Sequence, residues 1–406
     1  MKRAVIKTVT GGITAPHGFV AAGIHAGIKK PSVPDLALVV SAKDGPIAGV
    51  FTTNRIAAAP VVLDRLHLRR GIGRAIIVNS GNANACTGRR GLADAEAMAR
   101  LVAGRLKTDI RSVFVGSTGV IGQPLPIDRI RQAIPHLVRR LARSGARDAA
   151  RAILTTDKTV KQVAVQARIA GRLVTVGGMA KGSGMIHPDM ATMLAYLTTD
   201  MAITQPALRR ALARAVAPSF NCISVDGDTS TNDTVLCLAN GLAGNAVLRE
   251  GSKDFEIFQT LLDRACLSLA MQVCRDGEGV TKVVQILVTG GRTEAEAGRI
   301  ARTIGTSSLV KTALFGEDAN WGRIMAAIGR AEVRINPEKV SLAFENVPIV
   351  KQGVGLGPSA ERRIAQIIRR KEFTITVGLG QGTATARLWT TDLSYEYVKI
   401  NASYRS

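Results

Sequence analysis

Gln162-Val163-Ala164-Val165-Gln166-Ala167-Arg168-Ile169 and Leu173-Val174-Thr175-Val176-Gly177-Gly178 are two β-rich runs joined only by Ala170-Gly171-Arg172. So short a link reads as a hairpin of antiparallel neighbours, because parallel strands need a long crossover. Further β-rich runs lie at Leu36–Ser41, Ile47–Thr52, Ala75–Asn79, Val113–Gly116, Val283–Thr289 and Phe373–Leu379. Helical periodicity marks Leu92–Arg105, Ile127–Arg143, Gln205–Ala217, Phe255–Cys274, Glu294–Ile304 and Gly357–Arg369. Strands and helices do not alternate regularly, which excludes a Rossmann fold. The pattern predicts an α+β fold, a layered α/β sandwich of mixed strands with flanking helices.

The chain has 406 residues, enough for a sizeable core, with 46% hydrophobic and 21% charged residues. This excludes a collagen, a disulfide scaffold and a disordered acidic tail. Formal net charge is +23, concentrated in residues 1–191, which hold 29 basic and 10 acidic side chains against 25 and 21 in 192–406. Such asymmetry raises the possibility of nucleic-acid binding. The densest stretch, however, spaces Arg139, Arg140, Arg143 and Arg147 between apolar residues and carries no aromatic for stacking. A solvated helix face is the reading it supports.

Five cysteines (Cys86, Cys222, Cys237, Cys266, Cys274) include no C-x-x-C pair, and five histidines show no ligand spacing. Neither a disulfide framework nor a metal site is expected. No apolar run approaches the roughly 20 residues of a membrane span, and Gly11, Gly12 and Pro16 interrupt any signal-peptide core. A cytoplasmic protein without membrane or nucleic-acid partners is expected. Gly378-Leu379-Gly380-Gln381-Gly382 suggests a dinucleotide loop, but Thr383–Trp389 alternates like a strand, so a glycine-turn hairpin is expected there. Asp226-Gly227-Asp228 begins like a calcium loop. Thr231 and Cys237 then stand where glycine and glutamate are needed.

The most unusual segment is Lys181-Gly182-Ser183-Gly184-Met185-Ile186-His187-Pro188-Asp189-Met190-Ala191-Thr192-Met193-Leu194-Ala195-Tyr196. Its glycines and proline permit bent backbone before Thr192. On residue types alone it also reads as a turn leading into a strand with a buried Thr.

This segment resembles the signature of the ornithine acetyltransferase family, also called the glutamate N-acetyltransferase or arginine biosynthesis bifunctional proteins. Further blocks match in order: Asn79–Gly88, Gly116–Gly122, Leu154–Asp157, Ser224–Asp233, Arg275–Gly279, Gly316–Arg323 and Tyr397–Arg405. The resemblance implies a precursor that cuts its own Ala191–Thr192 bond, giving an α chain of residues 1–191 and a β chain of 192–406. Thr192 would then be the nucleophile, with its freed α-amine as base. Such an amine has an unperturbed pKa of about 7.7–8.0, which suits a general base near neutral pH.

By the same resemblance, Thr118 and Gly119 form the oxyanion hole. Lys181, Glu278, Asn401, Ser406 and Thr155 or Thr156 bind substrate together with Thr192. Acetyl would pass from N-acetylornithine to glutamate in a ping-pong cycle, with no bound cofactor or metal. Acetyl-CoA is a possible second donor, and an α2β2 heterotetramer is the implied assembly. Taken singly, Lys181 also reads as a solvated loop charge, Glu278 as a turn carboxylate and Asn401 as a cap. Ser406 stands where the family usually ends in Thr; His187 and Asp189 are assigned no catalytic role. A self-processing amidase or aminopeptidase, with water as acceptor, is the alternative reading.

Overall fold

The hairpin of Gln162–Ile169 and Leu173–Gly178 closes as its sequence demands. In the computed structural model, which describes residues 5–187 and 193–403, Ile169 pairs with Arg172 across a two-residue turn. Ala170 (φ +48°) and Gly171 (φ +74°) both sit in the left-handed region that such a tight turn requires. Alternating residues of these strands, including Val163, Val165, Val174 and Val176, are buried.

In chain order the strands are β1 (Lys7–Thr8), β2 (Phe19–Ile24), β3 (Leu36–Phe51), β4 (Ile72–Asn82), β5 (Val113–Val120), β6 (Lys161–Ile169), β7 (Arg172–Lys181) and β8 (Leu194–Thr199). There follow β9 (Ile223–Ser224), β10 (Thr234–Ala239), β11 (Val283–Gly291), β12 (Ser341–Phe344), β13 (Val347–Lys351), β14 (Val354–Gly355), β15 (Glu372–Gly378) and β16 (Ala384–Thr391). Among the described residues they form two sheets. The larger runs β1-β6-β7-β8-β10-β3-β4-β5, with β2 also on β3; the smaller runs β14-β13-β12-β15-β11-β16-β9. Both mix parallel and antiparallel pairs, so the α+β expectation holds.

Helices cover the sheets. Lys253–Arg275 buries Phe255, Phe258, Leu262, Leu269 and Val273, spaced three, four or seven residues apart, against the β6–β8 face. Its start is fixed by Ser252, whose side chain accepts the Phe255 N–H. Thr293 caps Glu294–Gly305 in the same way, by accepting from Glu296. Gly88–Leu106 and Ile127–Arg139 pack with the β3–β5 part of the large sheet, and the smaller sheet has its own core.

Three expectations need correction. Leu36–Ser41 and Ile47–Thr52 are largely one strand, β3, with a register break between Val40 and Gly45. The helix expected to reach Arg143 ends at Arg139, before a short turn and a second helix, Ala146–Ala152. The four arginines are exposed but do not share one helix. Finally, no glycine-turn hairpin joins β15 to β16. Strand β11 lies between them, parallel to β15 and antiparallel to β16, because Val283–Val288 supplies an apolar strand that fits both.

Candidate active site

The sequence blocks scattered over the chain meet at one cavity. Its wall is made by Thr118 and Gly119 at the end of β5, Thr155 and Thr156 after the Ala146–Ala152 helix, and Lys181 at the end of β7. Gly184, Met185, the loop residues Ser230, Thr231 and Asn232, Glu278 and Asn401 complete it. Seven of the expected residues are therefore brought together. Ala191, Thr192 and Ser406 lie outside the described residues.

Gly119, beside Thr118, is held in a geometry that only glycine permits. Gly119 has φ +131°, and a Cβ there would stand 2.3 Å from the Gly81 carbonyl carbon. The β4–β5 pairing slips at this point, between Gly81 and Asn82. Behind it, Asn232 donates to the carbonyls of Ala83 (2.7 Å) and Ser117 (2.9 Å), and the Ser117 hydroxyl donates to Asn79 (2.6 Å). Thr118 and Gly119 thus line the cavity from a fixed strand end.

A buried charge network sets Lys181. Asp157, fully buried, accepts from the Thr155 N–H (3.0 Å), the Gly182 N–H (2.7 Å) and Lys161 Nζ (2.7 Å). Lys181 Nζ stands 3.8 Å from its other side, and Lys161 also bonds Asp276 at 2.5 Å. Burial opposes ionisation of Asp157. The two lysines and the Gly182 N–H outweigh it and hold the carboxyl well below the usual range. Burial lowers the Lys181 pKa, with Asp157 opposing and Lys161 reinforcing the shift. Lys181 is only 2% exposed, so its expected alternative as a solvated loop charge is excluded.

Glu278 is also buried, its N–H bonded to the Ser183 carbonyl at 2.9 Å. A Cβ on Gly184 would fall 2.4 Å from Glu278 Oε2, so glycine is what lets this carboxylate enter the cavity. Thr156 shares a 2.6 Å hydrogen bond with the Ser183 hydroxyl. Among the described residues the cavity offers one cation, one anion, hydroxyls and backbone groups, a set suited to a zwitterionic small molecule. Among the described residues no cluster of three or more His, Cys, Asp or Glu could hold a metal, and no helix is long and apolar enough to cross a membrane.

Sequence reasoning gave no role to Asp157, Lys161, Asp276 or Asn232. Three of these four lie in matched blocks; Lys161, at the start of an ordinary strand, carries no local signal. Asp226, set aside as a failed calcium ligand, accepts the N–H groups of Met185 (2.5 Å) and Ile186 (2.8 Å).

Comparison with known proteins agrees over nearly the whole chain. The family model described as the ArgJ family matches residues 20–406. The arginine biosynthesis bifunctional protein ArgJ of Geobacter sulfurreducens is 49% identical over 389 residues, covering 96% of this chain and 99% of that protein. The protein of the same name from Symbiobacterium thermophilum is 48% identical over 400 residues, covering 98% and 99%. A crystal structure of the Bacillus halodurans ArgJ is 43% identical, with a TM-score of 0.49 over 52% of this chain and 98% of that chain. This chain belongs to the ArgJ family.

Proposed function

We propose that this chain is an acetyltransferase of arginine biosynthesis that moves acetyl from N-acetylornithine to glutamate, with acetyl-CoA as a second donor. In this reading the precursor cuts itself at Ala191–Thr192. The Thr192 hydroxyl then attacks the acetyl carbonyl as its α-amine takes the proton. Thr118 and Gly119 stabilise the resulting oxyanion, and the C–N bond breaks with the proton returned to the departing ornithine. The glutamate amine attacks the acetyl ester and regenerates the hydroxyl. Lys181 pairs with the substrate carboxylate and Glu278 with the ornithine ammonium, while Thr155 or Thr156, Asn401 and Ser406 contribute hydrogen bonds. The working form is a cytoplasmic α2β2 assembly of the two cut chains.

The observation that carries the reading is that seven of these residues, from five separate stretches of sequence, line one cavity. Intact mass should show two chains, 1–191 and 192–406, with Thr192 as a new N-terminus. Thr192→Ala should remain one inactive chain. Labelled N-acetylornithine plus glutamate should yield N-acetylglutamate; release of free acetate regardless of glutamate would identify an amidase instead.

A further inference from the structure

The loop Asp226-Gly227-Asp228-Thr229-Ser230-Thr231-Asn232-Asp233 grips the chain on both sides of residues 188–192. On the upstream side, Asp226 accepts the N–H groups of both Met185 and Ile186, while the Ile186 carbonyl accepts from Val225 N–H at 2.8 Å. Met185 is held at φ +58°, a left-handed conformation that costs a side-chain-bearing residue but not glycine. On the downstream side, Asp233 Oδ1 accepts the Met193 N–H at 3.0 Å, and the Met193 carbonyl accepts from Thr234 N–H at 3.1 Å. Between these carboxylates, Asn232 ties the same loop to Ala83 and Ser117, beside Thr118. Two fixed ends and a bond to the strand end that carries Thr118 and Gly119 thus come from one eight-residue loop.

We propose that this loop is the template for self-cleavage, with Asp226 and Asp233 as positioning residues that fix the two ends of the segment carrying the scissile bond. The inference rests on the self-cleavage reading given above. In that step the Thr192 hydroxyl adds to the Ala191 carbonyl and the Ala191–Thr192 C–N bond breaks, leaving an ester and a free amine. Water then hydrolyses the ester to the Ala191 carboxylate and the Thr192 hydroxyl. An attack within one short segment is fast only when few conformations remain to be searched. Asp226 removes that freedom upstream by holding Met185 in its unfavourable φ, and Asp233 removes it downstream.

The test follows conversion of the full chain to its two fragments on a denaturing gel after cell-free synthesis and chase. Asp226→Asn keeps the shape but presents an NH2 to one of the two amides, and should slow cleavage by roughly tenfold. Met185→Gly, in which glycine enters the left-handed region without steric cost, is the reference for the double variant. Asp226→Asn combined with Met185→Gly should recover most of the lost rate. Asp233→Asn should be slow and should not be rescued by Met185→Gly. An Asp226→Asn chain that cleaves at the wild-type rate, or a double variant no faster than Asp226→Asn, overturns the template. The rescue also controls for folding, because a chain that merely misfolds through loss of Asp226 is not repaired at residue 185. A wild-type chain that is never cut overturns the self-cleavage reading itself, a result distinct from either failure of the variants.

Discussion

Asn401 Nδ2 donates to Glu278 Oε2 at 2.9 Å, joining the last helix of the chain, Tyr395–Ser403, to the turn after the long Lys253–Arg275 helix. The Tyr395–Ser403 helix has no buried residue of its own. It is docked by polar contacts, among them the Ser394 hydroxyl to the Gly279 carbonyl at 2.6 Å. Asn401 therefore helps orient a buried carboxylate, whose second oxygen accepts no hydrogen bond among the described residues and takes the substrate ammonium in the proposed reading. Hydrogen bonds to charged groups contribute about 1.5–3 kcal/mol. Glu278→Gln should raise the KM for N-acetylornithine about 10–100-fold, and Asn401→Ala by less. Steady-state kinetics with both substrates measures this, and an unchanged KM in Glu278→Gln would remove the glutamate from the binding site.

The oxyanion wall predicts a different kinetic pattern. In the proposed reading Thr118→Ala removes one donor aimed at developing charge, a loss of about 2.7–4 kcal/mol in comparable sites. Its kcat should fall about 10²–10³-fold with KM nearly constant. Gly119→Ala should be worse, because the new Cβ would overlap the Gly81 backbone and push β5 from β4. Equal losses of kcat in Thr118→Ala and a distant surface control would contradict the assignment.

Much of this site was legible in the sequence because its residues occur in compact, unusual blocks. The hairpin β6–β7 was legible too, since apolar strands and a Gly-containing link are local signals. What local signals could not reveal was pairing at long range. Strand β11 enters between β15 and β16 from about ninety residues upstream of them, and the Gly378–Gly382 run gave no hint of it. The same holds for Lys161. Its role comes from Asp157 four residues before it and Asp276 more than a hundred after it, which the fold alone brings together. Asp226 was given no role for a related reason: its oxygens face backbone amides of a segment forty residues away.

The Asp157 network has a pH signature. Its carboxyl is held low in the folded chain by Lys181, Lys161 and the Gly182 N–H acting against burial. The resulting stability is fully present above the unfolded pKa of about 3.9 and is lost as pH falls through the depressed folded value. Asp157→Asn leaves two buried lysines short of an anion and should cost about 3–5 kcal/mol near neutrality. The difference between wild type and Asp157→Asn, followed by denaturant unfolding, should be flat from pH 7 to about 5 and shrink below about 4. A difference that grows on acidification would show that the carboxyl is not held ionised.

Lys29 supports the same wall from outside and titrates in the opposite direction. Its ammonium donates to the carbonyl of Leu154, immediately before Thr155, and to that of Pro34 at 3.2 Å. Its stem also lies where a Cβ on Gly81 would fall, 2.9 Å from Lys29 Cγ. Burial lowers its pKa to about 8, with Asp35 opposing and Lys181 adding to the fall. Because the folded value lies below the unfolded one of about 10.4, the unfolded chain binds more protons between pH 8 and 10, and wild-type stability should rise through that window. Lys29→Met removes the titration and the donor while keeping the stem. The melting temperature of wild type relative to Lys29→Met should therefore increase from pH 8 to pH 10. Lys311, also lowered to about 8 by burial, is present in both chains and cancels from the comparison. With Leu154 released, the Thr155 wall should loosen and the KM for N-acetylornithine should rise several-fold while kcat changes little. A pH-independent difference in melting temperature would mean that the Lys29 amine is not desolvated, and an unchanged KM would mean that Leu154 needs no brace.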